Sequence, residues 1–354
     1  MRKTIDITSR IERYKRFFLT QHPGGILVTA SFTGGEETGG IDFRNFDFSR
    51  ESEHRRYWDI LVEKQTDSIG QHEGIEDDWI PGIVLHYGFG AFGGVYCDGD
   101  IKFTADTSYL EPVMNDWDRL NTTLYSKDRF WSHIFAEAAG YLSEKGQQFL
   151  FMVDVFPNPS PLDVANLLRG NEIFTDIFEY TAELKRLLDC TTLAVIENAK
   201  RIRQALKNPW GGTFAFNHWM PGGILLLEDA ADLCSPGNYK EFGMPYTRKV
   251  IVEMGGAYIH HHSLGRHQYG NIASLPGLYV QQISSDPNCK RPMDDLGCIL
   301  GETGNTVVEI ECTAQEVYRN IEDIRRGRFI LTVDCTDKEE ARELVGFVRE
   351  NSSL

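Results

Sequence analysis

The sequence predicts an α/β protein, a TIM-type (β/α)8 barrel with an N-terminal elaboration, and three observations lead there. From residue 224 onward, short apolar runs of strand length alternate with amphipathic helical stretches, the signature of a parallel sheet. No Pro/Gly/Ser-rich linker divides the 354 residues, 41% of them hydrophobic. A barrel of this kind uses such a length as one domain. The later strands also end in residues that bind metals or move protons, as expected where loops at the C-terminal ends of barrel strands build the site.

The elements follow in order. Residues 11–19 and 51–65 read as amphipathic helices, and the stretch 34–49 between them, rich in Gly, Asp and Phe, reads as irregular. Residues 88–112 are loop-like, and the glycines of Gly88 to Gly94 do not have the spacing of a phosphate-cradling loop. Residues 1–115 are expected to form an N-terminal extension covering the barrel mouth. Residues 128–145 form a helix and 148–155 a strand. Pro161 opens the helix 161–168, because proline suits the first helical position. Residues 174–206 have apolar side chains three and four apart, as one long helix would. Strands are then predicted at 224–227, 257–262, 278–283, 306–310 and 329–333. Helices follow them at 238–254, to 274, at 293–300, at 314–326 and at 338–350.

Composition narrows the function. A net charge of −16 repels phosphate backbones and excludes nucleic acid as a partner. No apolar run approaches the length of a membrane span, and Met1 to Arg10 lack the apolar core of a secretory signal, so a cytoplasmic protein is expected. The seven cysteines include no CxxC pair and read as buried thiols rather than a disulfide framework.

The strand ends carry the chemistry. Strand alternation places His260 and His262 on one face and His261 on the other. Imidazole is both a metal ligand and a general acid or base. Glu228 and Asp229 are adjacent, so at most one of them enters the site. Asp286, Glu309, Glu311 and Cys335 follow other strands, and a thiolate at Cys335 could join a histidine and a carboxylate on zinc. The expected catalytic residues are His260, Asp286 and Glu228, and the expected metal ligands are His262, Cys335 and Glu228. His218 and Trp219, just before a strand, are expected to wall the substrate together with Tyr87. Asp77 and Asp78 read as a cap rather than a catalytic pair.

The order of these motifs resembles the uroporphyrinogen decarboxylase superfamily over roughly residues 147–344. Leu227-Glu228-Asp229 followed by Ser235-Pro236 is similar to an acidic strand end before a helix that opens with Ser-Pro. Ala257 to His262 with Leu264-Gly265 resembles the family's His-x-Cys-Gly strand end, and Gln282 to Asp286 the strand after it. The last strand with Cys335 resembles that of the zinc methyltransferase branch. The resemblance implies zinc held by a histidine and two cysteines, and methyl transfer between a small methylated substrate or thiol and a corrinoid. Here Leu264 stands where the first cysteine would be, which leaves His262 and Cys335 and calls for Glu228 or His260 as the third ligand. The corrinoid would arrive on a separate protein, since no Asp-x-His-x-x-Gly signature occurs in the chain. Family members commonly form homodimers. The alternative activity is that of a decarboxylase of uroporphyrinogen-like or smaller acids, and a further alternative is a non-catalytic tetrapyrrole- or corrinoid-binding protein. The decarboxylase's arginine-rich signature is absent, and no basic cluster is visible for a polycarboxylate.

Overall fold

A computed structural model describes residues 5–32, 41–121, 124–155 and 158–354. Nine parallel strands carry the fold: β1 (Ile26–Ser31), β2 (Gly82–Leu85), β3 (Met152–Val155), β4 (Asn158–Pro159), β5 (Ile224–Leu227), β6 (Ala257–His262), β7 (Leu278–Ser284), β8 (Val307–Thr313) and β9 (Arg328–Asp334). Seven of them form one sheet in the order β1-β9-β8-β7-β6-β5-β4, and β2 pairs with β3 in a second, two-stranded ladder. Helices separate successive strands within each ladder, as the crossover of a parallel sheet requires, whereas β3 and β4 follow one another directly and belong to different ladders.

The sheet curls around an apolar core. Leu27 of β1 and Leu225 of β5 belong to strands at or near opposite edges, yet they share one cluster with Met152, Tyr258, Val280, Val307 and Ile330. Phe214, Ala215, Trp219 and Met220 of the hairpin Thr213–Ala215/His218–Met220 join this cluster, as do Ile7, Ile11, Tyr14 and Phe17 of the helix Ile7–Leu19. Alternate residues of the same strands, such as Leu226, Ile259, Ile283, Ile310 and Leu331, pack outward against the helices in two further clusters.

Among the described residues no ladder joins β1 to β2, so the expected eight-stranded barrel is not closed by strand pairing. The free edge of β1 is occupied differently. The Val28 and Ala30 amides donate to the carboxylates of Asp78 (2.9 Å) and Asp77 (3.0 Å), and the Asp78 amide donates to the Val28 carbonyl (2.7 Å). Both carboxylates are fully buried. Arg10 pairs with Asp77 at 2.8 Å, and Arg13 and Arg349 pair with Asp78 at 2.7 and 2.8 Å. Burial alone would raise the Asp77 pKa, but His72, Arg10 and the Ala30 amide outweigh it and hold the carboxyl below its usual range. The acidic pair therefore caps a strand edge and ties the first and last helices to it.

Other differences are local. The first 115 residues, expected as a cover for the mouth, also supply β1 and β2. Residues 148–151 do not begin a strand: the helix Phe130–Phe149 runs into them and stops at Leu150, whose φ is 63°. The long helical pattern divides into Ile173–Glu179 and Thr181–Ala205. The glycine-rich run forms the helix Phe89–Tyr96, and a Cβ on Gly90 would sit 2.6 Å from the Tyr109 backbone. Glycine there lets the hairpin Ile101–Phe103/Ser108–Leu110 lie directly on the helix.

Removing the Asp78 carboxylate leaves the buried Val28 amide without its acceptor and two half-buried arginines without their counter-ion. Asp78→Ala should lower unfolding free energy by about 3–5 kcal/mol, seen as a lower urea midpoint. A midpoint within error of wild type would show that the carboxylate does not hold β1.

Candidate functional site

Strand alternation decides which side chains reach the inner face at the C-terminal ends of the strands. On β6, Tyr258 packs in the inner cluster and Ile259 in an outer one, so His260 and His262 point inward and His261 outward. On β5, Leu225 is inner and Leu226 outer. The same alternation turns Glu228 toward the helices and Asp229 into the site.

Asp229, His260 and His262 offer ligand atoms that all lie within 4.8 Å of one another. The Nε2 atoms of His260 and His262 are 3.2 Å apart, and His262 Nε2 is 3.7 Å from Asp229 Oδ1. The far nitrogen of each imidazole faces an oxygen of the next strand or the loop after it. His260 Nδ1 lies 2.6 Å from Gln282 Oε1, which can only accept, so the ring proton sits on Nδ1 and the lone pair on Nε2. His262 Nδ1 lies 3.1 Å from Asp286 Oδ1, an ion-pair distance without hydrogen-bond geometry. The second Asp286 oxygen is held by the Leu264 amide at 2.7 Å, and the Asp286 amide donates to Ser263 Oγ at 2.9 Å.

With the His262 proton on Nδ1, two imidazole lone pairs face each other at this distance, and a proton or a metal ion between them relieves the repulsion. Burial lowers the His260 pKa, the Gln282 bond opposing it, so protonating that ring is a poor remedy. A metal ion is a better one. Two imidazoles on one tetrahedral zinc place their nitrogens about 3.3 Å apart, given Zn–N bonds of about 2.05 Å. Asp229 completes a donor set of two nitrogens and one oxygen, and its carboxyl is pushed up to about 6 by burial, with the nearby His262 pulling it down. The residues present thus fit zinc, and partners at the far nitrogens are what orient histidine ligands.

Of the residues expected from sequence, His260, His262 and Asp286 come together here. Glu228 does not join them. It is fully buried against the helix layer, where its carboxylate accepts the Thr247 hydroxyl and its amide donates to the His260 carbonyl at 3.0 Å. Burial pushes its pKa up to about 7, although hydroxyls of Thr247, Ser160 and Tyr239 pull it down. Asp229 is the adjacent carboxylate that reaches the site.

Cys335 also faces outward, after the inner Thr332 and Asp334 positions. Its thiol packs in the apolar cluster with Cys312, Ala341 and Leu344, and burial pushes its pKa up to about 12. It lies outside the Asp229–His260–His262 group. All seven cysteines are free thiols.

The three residues expected to wall the substrate are packed inside the protein. The Tyr87 hydroxyl meets His54 Nδ1 at 2.9 Å and accepts from Trp58 Nε1 at 2.6 Å within an aromatic cluster. Trp219 belongs to the inner apolar cluster and donates to the Gly211 carbonyl at 2.9 Å. His218 contacts the Tyr14 hydroxyl at 2.8 Å and lies 3.7 Å from Glu309, whose carboxylate also accepts from Tyr258 (2.8 Å) and Thr332 (2.7 Å). Burial opposes the charge of Glu309, but His218 and the two hydroxyls outweigh it and hold the carboxyl below its ordinary range.

Phe216 supplies a wall that sequence reasoning missed. It shares the two-residue hairpin turn with Asn217, and both have positive φ, 40° and 65°. Asparagine tolerates that conformation, whereas phenylalanine rarely adopts it. The turn sets the Phe216 ring 5.9 Å from that of His260 and 5.7 Å from that of Tyr258. The sequence signal was the two-residue spacing between Phe214-Ala215 and His218-Trp219, which suits a tight hairpin.

Comparison with solved structures finds the same fold in a methyltransferase from Methanosarcina mazei. The TM-score is 0.59 over 96% of this chain and 97% of that one, at 13% sequence identity. No family model matches the chain, and no curated protein matches it in sequence.

Glu228 gives a prediction with a definite sign. Its folded pKa lies above the unfolded value, so its contribution to stability is complete below about pH 4.5 and is lost as pH rises through about 7. Between pH 5 and 8 the wild type should lose up to about 3 kcal/mol of unfolding free energy relative to Glu228→Gln, by urea titration. Parallel curves for the two proteins would contradict this assignment.

Proposed function

We propose that this protein is a metal-dependent methyltransferase that holds zinc through His260 Nε2, His262 Nε2 and Asp229, and acts on a small methylated substrate or thiol with a corrinoid carried by a separate protein. The observation that carries the reading is the pair of imidazole Nε2 atoms 3.2 Å apart, their Nδ1 atoms turned to Gln282 and Asp286. The fold shared with a methyltransferase supports it. Bound zinc would supply Lewis acidity to a thiol or to the heteroatom bearing the methyl group. Three protein ligands rather than four are the composition of a catalytic zinc site, which keeps a position for substrate.

The chain's own residues have separate tasks. Gln282 fixes the tautomer of His260 and aims its lone pair, and Asp286 faces the far nitrogen of His262. Asp229 supplies the negative charge. Phe216 covers one side with an apolar ring, which keeps water from the reacting group. The Cys335 thiol, taken as a ligand on sequence grounds, has no part in this set.

One observation favours a second reading, a metal-free carboxy-lyase. His262 lies between Asp286 at 3.1 Å and Asp229 at 3.7 Å, so the two carboxylates could hold a protonated imidazole poised to protonate a carbanion.

Metal content and turnover separate the two. Purified wild type should carry about one zinc per chain, His260→Ala and His262→Ala should each lose most of it, and Cys335→Ser should keep it. Methyl transfer from methylcobalamin to a thiol should fall about 100-fold or more on chelation and return with zinc. Wild type without zinc affinity, or release of carbon dioxide from small acids that survives chelation, would overturn the methyltransferase reading in favour of the lyase.

A further inference from the structure

The outward-facing histidine of the run has a partner of its own. His261 is fully buried, and its Nε2 accepts from Gln281 Nε2 at 2.9 Å. Its proton therefore sits on Nδ1, which lies 3.6 Å from Asp232 Oδ1, close enough for electrostatic attraction and too far for a hydrogen bond. The other Asp232 oxygen accepts the backbone amide of His262 at 3.1 Å. Asp232 belongs to the short turn Ala230–Leu233 that directly follows Asp229, and its own amide donates back to the Asp229 carbonyl at 3.1 Å. One buried carboxylate thus ties the turn that carries Asp229 to the strand that carries His260 and His262. The space for it comes from Gly265, where a Cβ would sit 1.7 Å from Asp232 Oδ1. Gln268 reinforces the link from the same side, donating to the Ala231 and Cys234 carbonyls at 3.0 and 2.8 Å.

We propose that Asp232 is a positioning residue for the metal site, a latch that sets the separation of Asp229 from the histidine pair and depends on Gly265 for its room. The inference rests on the metal reading above. Asp232 faces away from the inner surface and touches none of the three ligand atoms, so it acts through the backbone of His262 and the ring of His261. Losing an outer partner of this kind ordinarily weakens metal affinity by about 10–100-fold.

Cobalt(II) is the probe, titrated into the full-length apoprotein and followed by its visible ligand-field bands, with urea unfolding of the same samples in parallel. Asp232→Asn keeps the shape but removes the charge and replaces one of the two oxygens that face the His262 amide and the His261 ring. Gly265→Ala pushes on the carboxylate without altering any ligand. Both variants should bind cobalt about 10-fold or more weakly than wild type, with altered bands, while they remain folded. If Asp232→Asn does not accumulate as folded protein, Gly265→Ala decides the matter on the same criteria. Wild type that binds cobalt alongside variants with affinity within twofold and unchanged bands would overturn the latch and leave the metal reading intact, because a merely structural role would move only the urea midpoint. Wild type that binds no cobalt would overturn the metal reading, and the latch with it.

Discussion

The two-residue alternation of parallel strands governs almost everything in this molecule. A one-residue change of parity moves a side chain from the inner face to the helix layer. It sends Tyr258, His260 and His262 inward and makes His261 a buried anchor instead of a ligand. It divides Glu228 from Asp229, and it places Cys335 among apolar residues beneath the last helix. Neighbouring strands then supply the partners at matching height: His260 stands beside Gln282, and Gln282 beside Glu309.

Rigidity around the site follows from hydrogen bonds that are already spoken for. Gln282 and Asp286 occupy the far side of each inward imidazole, while Asp163 takes the Ala230 amide at 2.7 Å and so fixes the turn after Asp229. The buried Glu309 network beside Gln282 extends down to Tyr14 on the first helix. At the opposite edge of the sheet, Asp77 and Asp78 replace a missing strand partner with carboxylates and pull three arginines into the structure. Polar groups thus hold in place a sheet whose inner surface is otherwise aliphatic and aromatic.

Much of this was legible in the amino-acid order. The late strands and helices follow from hydrophobic periodicity, and the inward pair His260 and His262 follows from alternation alone. Asp286 was legible as the acidic residue after the next strand. What could not be read was parity at the strand ends, where the chain leaves regular geometry. Glu228 and Asp229 are equivalent by spacing until Leu225 and Leu226 are seen to face opposite ways. Cys335 attracted attention through resemblance to a family that uses thiolates, yet Thr332 and Asp334 take the inward positions of its strand. Tyr87 and Trp219 carry aromatic rings that suit a binding wall as well as a core, and their long-range partners decide for the core. The strand edge at Asp77 and Asp78 depends on arginines 65 residues upstream and 271 downstream, a separation no local pattern records.

The central claim is that two imidazoles and a carboxylate, without a cysteine, hold a catalytic zinc. X-ray absorption at the zinc edge of the loaded resting protein tests it most directly. Nitrogen and oxygen scatterers at about 2.0–2.1 Å with an imidazole signature are the expected first shell. A sulfur scatterer at about 2.3 Å in the absence of thiol substrate would bring a cysteine back into the site and contradict the arrangement described here.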